Sequence, residues 1–167
     1  MAKIAAITLL VLCLLPVITM ASRPAEKKRR QPYCVRGRVY CDPCRAGFET
    51  SASTFIQGAK VKVQCRHRST QEVLYEAEAL TDDTGSYKIY VEKDQKNNVC
   101  DAMLVSSPHR KCKLADPGRD RSRVVLTSNN GIVSNDRYAN NMGFLMDQPM
   151  NFCAQLMQQY VINEDEV

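Results

Sequence analysis

The chain has 167 residues, a formal net charge of +5, eight cysteines and no tryptophan. That length holds one domain of ordinary size plus extensions, and not two. The charge excess lies outside the domain, because from Gln31 onward seventeen basic residues are balanced by seventeen acidic ones. The folded part therefore lacks the basic surplus that a nucleic-acid-binding surface carries, and no nucleic-acid partner is expected.

At the start, Met1-Ala2-Lys3 supplies a positive end, Ile4 to Ile18 is almost unbroken apolar sequence, and Thr19-Met20-Ala21 puts small residues at the cleavage-reading positions. Residues 1–21 read as a secretory signal. The apolar run is shorter than the ~20 residues of a bilayer span, and no other stretch is apolar enough to cross, so no transmembrane segment is expected. Residues 22–32 follow as a basic disordered arm with Lys27, Lys28, Arg29 and Arg30 at its core. Such an arm is a solvated tail, a dibasic processing site, or a holder of acidic polysaccharide or anionic lipid. The domain then occupies 33–161, and 162–167 form an acidic tail with no lipid-anchor or retention signal.

Val35, Gly37 and Val39 alternate with Arg36, Arg38 and Tyr40, which predicts a short strand running into the turn Cys41-Asp42-Pro43-Cys44. A polar loop follows to Phe55, anchored by Phe48 and Phe55. Ala59, Val61, Val63 and Cys65 alternate with Lys60, Lys62, Gln64 and Arg66, the clearest strand of the chain, with Cys65 turned to the core. Val73 to Leu80 alternates less cleanly. The turn Thr81-Asp82-Asp83-Thr84-Gly85 then leads to Tyr87, Ile89 and Val91, and the two runs predict a hairpin. Shorter strands are expected at 102–105, 123–127 and 142–146. Many short strands with regular turn signals predict an antiparallel β-barrel or sandwich. Cys153, Leu156, Met157 and Tyr160 break the period of two and predict a short C-terminal helix, with Pro149 at its first position and Cys153 on its buried face.

Removal of the signal takes Cys13 and leaves seven cysteines, an odd number in a compartment that oxidises thiols. Cys41 and Cys44 have the spacing of a metal or redox pair. Structural zinc wants a second close Cys or His pair, and here the other cysteines stand alone, with His67 and His109 far apart in sequence. A redox dithiol sits at a helix N-terminus, whereas this pair ends a strand. Both observations favour bridges from Cys41 and Cys44 to distant cysteines, each contributing about 2–4 kcal/mol. His67, near a strand end, and His109, in the Ser-Ser-Pro-His-Arg-Lys loop, read as ordinary histidines. Asp82-Asp83-Thr84-Gly85 lacks the ligand spacing of a calcium loop. No nucleophile elbow, metalloprotease helix or phosphate-cradling loop is present, so neither an enzyme nor a cofactor is expected. No Asn-x-Ser/Thr acceptor for glycans occurs.

The run Gly37-Arg-Val-Tyr-Cys-Asp-Pro-Cys-Arg-Ala-Gly-Phe48 resembles the signature of the olive-pollen major allergen and extensin family of plants. The intervals between Cys41, Cys44, Cys65, Cys100, Cys112 and Cys153 agree with it, and the resemblance covers Tyr33 to Tyr160. Arg119 to Gly131 and Tyr138-Ala-Asn are most similar to the grass-pollen branch. The resemblance implies a β-barrel or sandwich stapled by three disulfides, Cys41 with Cys112, Cys44 with Cys153 and Cys65 with Cys100. It also implies a non-enzymatic protein of the extracellular space or cell wall, found in pollen, active in pollen-tube growth and allergenic. Its partner would be a cell-surface receptor or an acidic wall polysaccharide. A carbohydrate-binding or carbohydrate-processing module, with its site in the loops, is the alternative; carriage of a small molecule inside a barrel is a third reading. Cys34 and the Lys-Lys-Arg-Arg arm stand outside the family pattern. Alternation puts Cys34 on the Arg36 side of its strand, facing out if the valines face in, where it would be left over for an intermolecular disulfide, as in a linked dimer, or for a capped thiol.

Overall fold

The computed structural model describes residues 31–128 and 130–162. The signal over 1–21, the arm residues Lys27, Lys28, Arg29 and Arg30, and the tail beyond Ile162 lie outside the described residues. In chain order the elements are β1 (Tyr33–Asp42), β2 (Thr54–Phe55), β3 (Lys60–His67), β4 (Val73–Leu80), β5 (Ser86–Val91), β6 (Asn98–Ser106), β7 (Cys112–Ala115), β8 (Arg121–Val124), β9 (Asp136–Tyr138), β10 (Met142–Met146) and α1 (Cys153–Ile162).

The strands form two sheets that do not close into a barrel, which leaves the sandwich of the two expected architectures. β1 is the axis of the first sheet. β5 and β2 pair with it antiparallel along one edge, β9 and β10 pair with it parallel along the other, and β7 continues the sheet antiparallel to β10. The second sheet, in the order β4-β3-β6-β8, is wholly antiparallel. Tyr33, Val35, Val39, Ile89, Val91, Met142 and Phe144 from the first sheet meet Val61, Val63, Cys65, Cys100, Ala102 and Val124 from the second in one core. Each fully buried valine or isoleucine there contributes about 1.5–3 kcal/mol by leaving water. Along β5 the alternation is clean: Tyr87, Ile89 and Val91 are buried, while Lys88 and Tyr90 are exposed.

Gly37 falls on the core side of β1, opposite Tyr87 in register. A Cβ at this position would stand 2.5 Å from the Tyr87 hydroxyl, so the missing side chain is the slot that the phenol fills. An aromatic ring laid over a strand glycine restores the packing that the glycine forgoes. The hydroxyl is carried into the core without a hydrogen-bond partner.

The expected hairpin between β4 and β5 is not one. Its turn is well made, with Asp82 N–H donating to Ser86 O at 2.8 Å and the Asp82 carboxylate accepting from Thr84 and Ser86 N–H. On one side, however, Thr81 N–H donates to Ala59 O just ahead of β3, in the second sheet's register, while its hydroxyl donates to Ile56 O in the segment between the sheets. On the other side Gly85 O accepts from Val39 N–H of β1. The turn therefore arches from one sheet to the other, and its two strands pair with different neighbours.

Three disulfides pin this arrangement. Cys65–Cys100 joins directly opposed residues of β3 and β6, Cys41–Cys112 ties β1 to β7, and Cys44–Cys153 ties the cysteine turn to α1. The helix begins at Cys153 and not near Pro149, because residues 150–152 are used in a turn: Met150 N–H donates to Pro43 O and Cys153 N–H to Met150 O. Only Cys153 of its described side chains is buried. Tyr160 adds an edge-on ring contact with Phe48, centroids 5.3 Å apart.

Candidate functional site

The cysteine turn belongs to the interior. Cys41, Cys65, Cys100 and Cys112 are all 2% exposed or less, and Cys44 and Cys153 are also buried. Asp42, itself buried, shapes the turn by accepting from Cys44 N–H at 3.0 Å and from Gly47 N–H at 2.9 Å, one on each carboxylate oxygen. The motif that stands out in the sequence is thus a clasp, shut on itself and sealed from solvent. Among the described residues no three His, Cys, Asp or Glu side chains come close enough to hold a metal ion. His67 and His109 are far from this turn in sequence, and each accepts on Nδ1 from a nearby backbone N–H.

Cys34 corrects an expectation. It is the free cysteine of the described residues, and it is buried, 5% exposed. Alternation does place it opposite the core, since Tyr33 and Val35 enter the core cluster and Cys34 does not. What covers it comes from elsewhere in the chain: Tyr90 of β5 stands beside it on one edge, Asp136 of β9 on the other. Cys34 N–H also donates to Asn135 O at 3.0 Å, which ties the segment before β9 alongside the strand. Cys34 lies in the lining of a groove with Tyr90, Arg36 and Asp136, largely withdrawn from the surface. Tyr40 is roofed in the same way at the other end of β1. It was expected on the outward side, yet it is 1% exposed, its ring laid on Gly143, where a Cβ would stand 2.7 Å from the ring. Burial pushes its phenol up to about 12.

Between these two covered ends the outer face of the first sheet is open, and its side chains are set by register. Tyr90, Cys34 and Asp136 form one row across β5, β1 and β9, and Lys88, Arg36 and Tyr138 form the next. Tyr90 and Tyr138 are 59% and 76% exposed. Arg36 Nε donates to Asp136 Oδ1 at 2.8 Å, which raises the arginine further above its usual range. Arg38 stacks its guanidinium 3.4 Å over the Phe55 ring and donates to Thr84 O. Lys88 has no ion pair among the described residues. Beside the first row lies a shallow groove of about 490 Å³ with Gln31, Ser134 and Asn135 on its wall.

The wall is held from behind by a buried cation. Arg137, 4% exposed, points into the core side, donates from Nε to Val125 O at 2.8 Å and from Nη1 to Ser134 O and Asp136 O, and lies over the Tyr33 ring. All its partners are backbone carbonyls and one aromatic face, so its charge serves to fix residues 134–136. The outer face of the second sheet is different in kind, because its charges cancel locally: Lys60 pairs with Glu78, Lys62 with Glu76 and Arg123 with Asp101.

The loops and the arm were the expected place for a functional surface, and the sequence reading missed Tyr90 and Tyr138, which lie on strands. Tyr90 was legible as an aromatic residue on the Lys88 parity of a clean strand. Tyr138 was not, because β9 is three residues long and is recruited to β1 by parallel pairing that no local period announces.

What these features define is a disulfide-stapled two-sheet scaffold whose distinctive open feature is an aromatic and basic sheet face. The family model described as "Pollen protein Ole e 1 like" matches residues 31–161, and the chain belongs to that family. It is 45% identical over 133 residues to pollen allergen Phl p 11 of Phleum pratense, covering 79% of this chain and 93% of that one. It is 38% identical over 156 residues to the pollen-specific protein C13 of Zea mays, covering 93% and 91%. Among solved structures, the major plantain pollen allergen Pla l 1 superposes with a TM-score of 0.63 at 26% identity, over 71% of this chain and 97% of that one.

Proposed function

We propose that this chain is a secreted, non-enzymatic pollen protein that acts through its surface, outside the cell or in the cell wall, during pollen-tube growth, and that it is an allergen. The observation that carries the reading is the contrast between the sealed cysteine clasp and the open Tyr90/Tyr138 face: the chemistry-bearing residues are locked inward, while the aromatic and cationic ones are turned out. Secretion is supported by the signal-like residues 1–21 and by the three disulfides, which persist in oxidising compartments. The names of the relatives, a pollen allergen and a pollen-specific protein, support the tissue and the allergenicity. In this reading the mature domain is 33–161, the arm 22–32 and the tail 162–167 flank it, and the described compact unit begins at Gln31. The partner is a receptor or a wall polysaccharide at the tube surface.

The test is to express the full chain with its own N-terminus in a plant secretory system and apply the exported, tagged protein to growing pollen tubes. Export with cleavage after Ala21, and surface retention that is lost on substituting Tyr90 and Tyr138, are the expected results. Retention inside the cell, or surface binding indifferent to both tyrosines, overturns the proposal.

A further inference from the structure

The open face has a composition that selects among partners. Protein interface cores are apolar and depleted in charge, whereas the centre of this face is the Arg36–Asp136 ion pair, with the tyrosines set apart on either side. Tyr90 and Tyr138 are two strands apart and offset by two residues, so their Cα atoms are about 12 Å from each other at ordinary strand spacing and rise. That separation spans an oligosaccharide and not a single sugar. Each exposed phenol offers a flat apolar face with a polar tip, and the groove beside Tyr90 adds the amides of Gln31 and Asn135 and the hydroxyl of Ser134. The charge is net positive, with Lys88, Arg36 and Arg38 against Asp136 and against Asp82, which lies within electrostatic reach of Lys88. The groove on the other side of Tyr90 is lined by Glu92, Lys93 and Asp94, two carboxylates to one ammonium, so an anionic chain is favoured on the Tyr138 side.

From this face we infer that the first sheet binds an acidic, uronate-bearing polysaccharide, with sugar rings stacked on Tyr90 and Tyr138 and carboxylates over Lys88 and Arg36. The inference rests on the proposed surface function and names the ligand class for that surface. Arg137 is a positioning residue in it, since it fixes the groove wall without reaching the outer face. The basic arm is a separate cation source and has to be silenced for the face to be read. Both tyrosines and Lys88 project into solvent, so their substitution leaves the core intact.

The experiment measures binding of oligogalacturonate of defined length, with chelator present, by isothermal titration calorimetry. The protein is the full secreted chain in which Lys27, Lys28, Arg29 and Arg30 are all replaced by alanine. A neutral galactan oligomer of equal length is the control. The expected result is saturable binding of the uronate oligomer that weakens with salt, falls about tenfold in Tyr138→Ala and in Lys88→Glu at unchanged melting temperature, and is absent for the neutral oligomer. Three results overturn it: no binding once the arm is neutralised, equal binding of the neutral oligomer, or binding indifferent to both substitutions. If oligogalacturonate fails while the tagged protein still requires Tyr90 and Tyr138 to bind pollen tubes, the polysaccharide inference falls and the surface function stands. If tube binding is lost too, both fall.

Discussion

Replacing Cys44 and Cys153 together by alanine opens the bridge between the cysteine turn and α1, and the structure sets the size of the effect. Taken alone, the bridge closes a loop with a sequence separation of 109. Cys41–Cys112 already joins the two arms of that loop, so the path still to be closed runs only from Cys41 to Cys44 and from Cys112 to Cys153. That path is about 44 residues, for which loop-closure entropy gives about 4 kcal/mol. Little offsets the loss, because α1 buries only Cys153 among its described side chains, and a helix of this length does not persist alone in water. Urea unfolding under non-reducing conditions should show a loss approaching 4 kcal/mol. Hydrogen exchange should show the amides of 153–162 opening to near-unprotected rates while those of β3 and β5 stay protected. Slow exchange retained in α1, together with a stability loss under about 1 kcal/mol, would refute the reasoning and mean that packing holds the helix.

Gly37→Ala forces a Cβ to within 2.5 Å of the Tyr87 hydroxyl and should cost about 1–3 kcal/mol in thermal or urea unfolding. Tyr87→Phe removes an unpartnered buried hydroxyl and should be neutral or stabilising; a clear loss would reveal a hydrogen bond the structure does not contain. Asp42→Ala releases one buried and one half-buried N–H group of the cysteine turn and should cost about 2–3 kcal/mol, with Asp42→Asn intermediate, as measured by urea midpoint. Burial raises the phenol of Tyr87 above the usual tyrosine range and that of Tyr40 to about 12. The unfolded chain ionises these groups near ~10, so their contribution is whole below that pH and is lost as the pH rises toward and through the folded values. Tyr40→Phe should therefore move the midpoint of alkaline unfolding upward; an unchanged midpoint would remove Tyr40 from the account.

Strand positions were legible wherever a strand has one wet face and one dry one. Val61 to Cys65 and Tyr87 to Val91 announce themselves by period because the sandwich buries one side of each and leaves the other in water. The covered ends of β1 were not legible, since Cys34 and Tyr40 have the parity of exposed residues and are buried by segments far along the chain, around Tyr90 and Asp136 for the one and Gly143 for the other. The arch at Asp82 shows a related limit. Its turn chemistry is local and readable, but the hydrogen bonds of Thr81 to Ala59 and of Gly85 to Val39 decide which sheet each strand joins. Three-residue β9 and four-residue β7 are too short to carry a period at all. For the candidate site, Arg36, Arg38 and Lys88 could be placed on an outward parity from sequence, while their neighbour Tyr138 required the fold.

β1 leaves the ribosome first, whereas β9 and β10, which pair with it in parallel, are made last. The first sheet is thus completed by contacts of long sequence separation, the kind that close slowly. The cysteines follow the same calendar: on the secretory route proposed above, Cys41, Cys44 and Cys65 enter an oxidising compartment before any of their native partners, Cys112, Cys153 and Cys100, and the first bridges within reach are non-native ones. Correct pairing then depends on thiol–disulfide exchange after the chain is whole, so the yield of folded protein should track the isomerase capacity of the compartment that oxidises it.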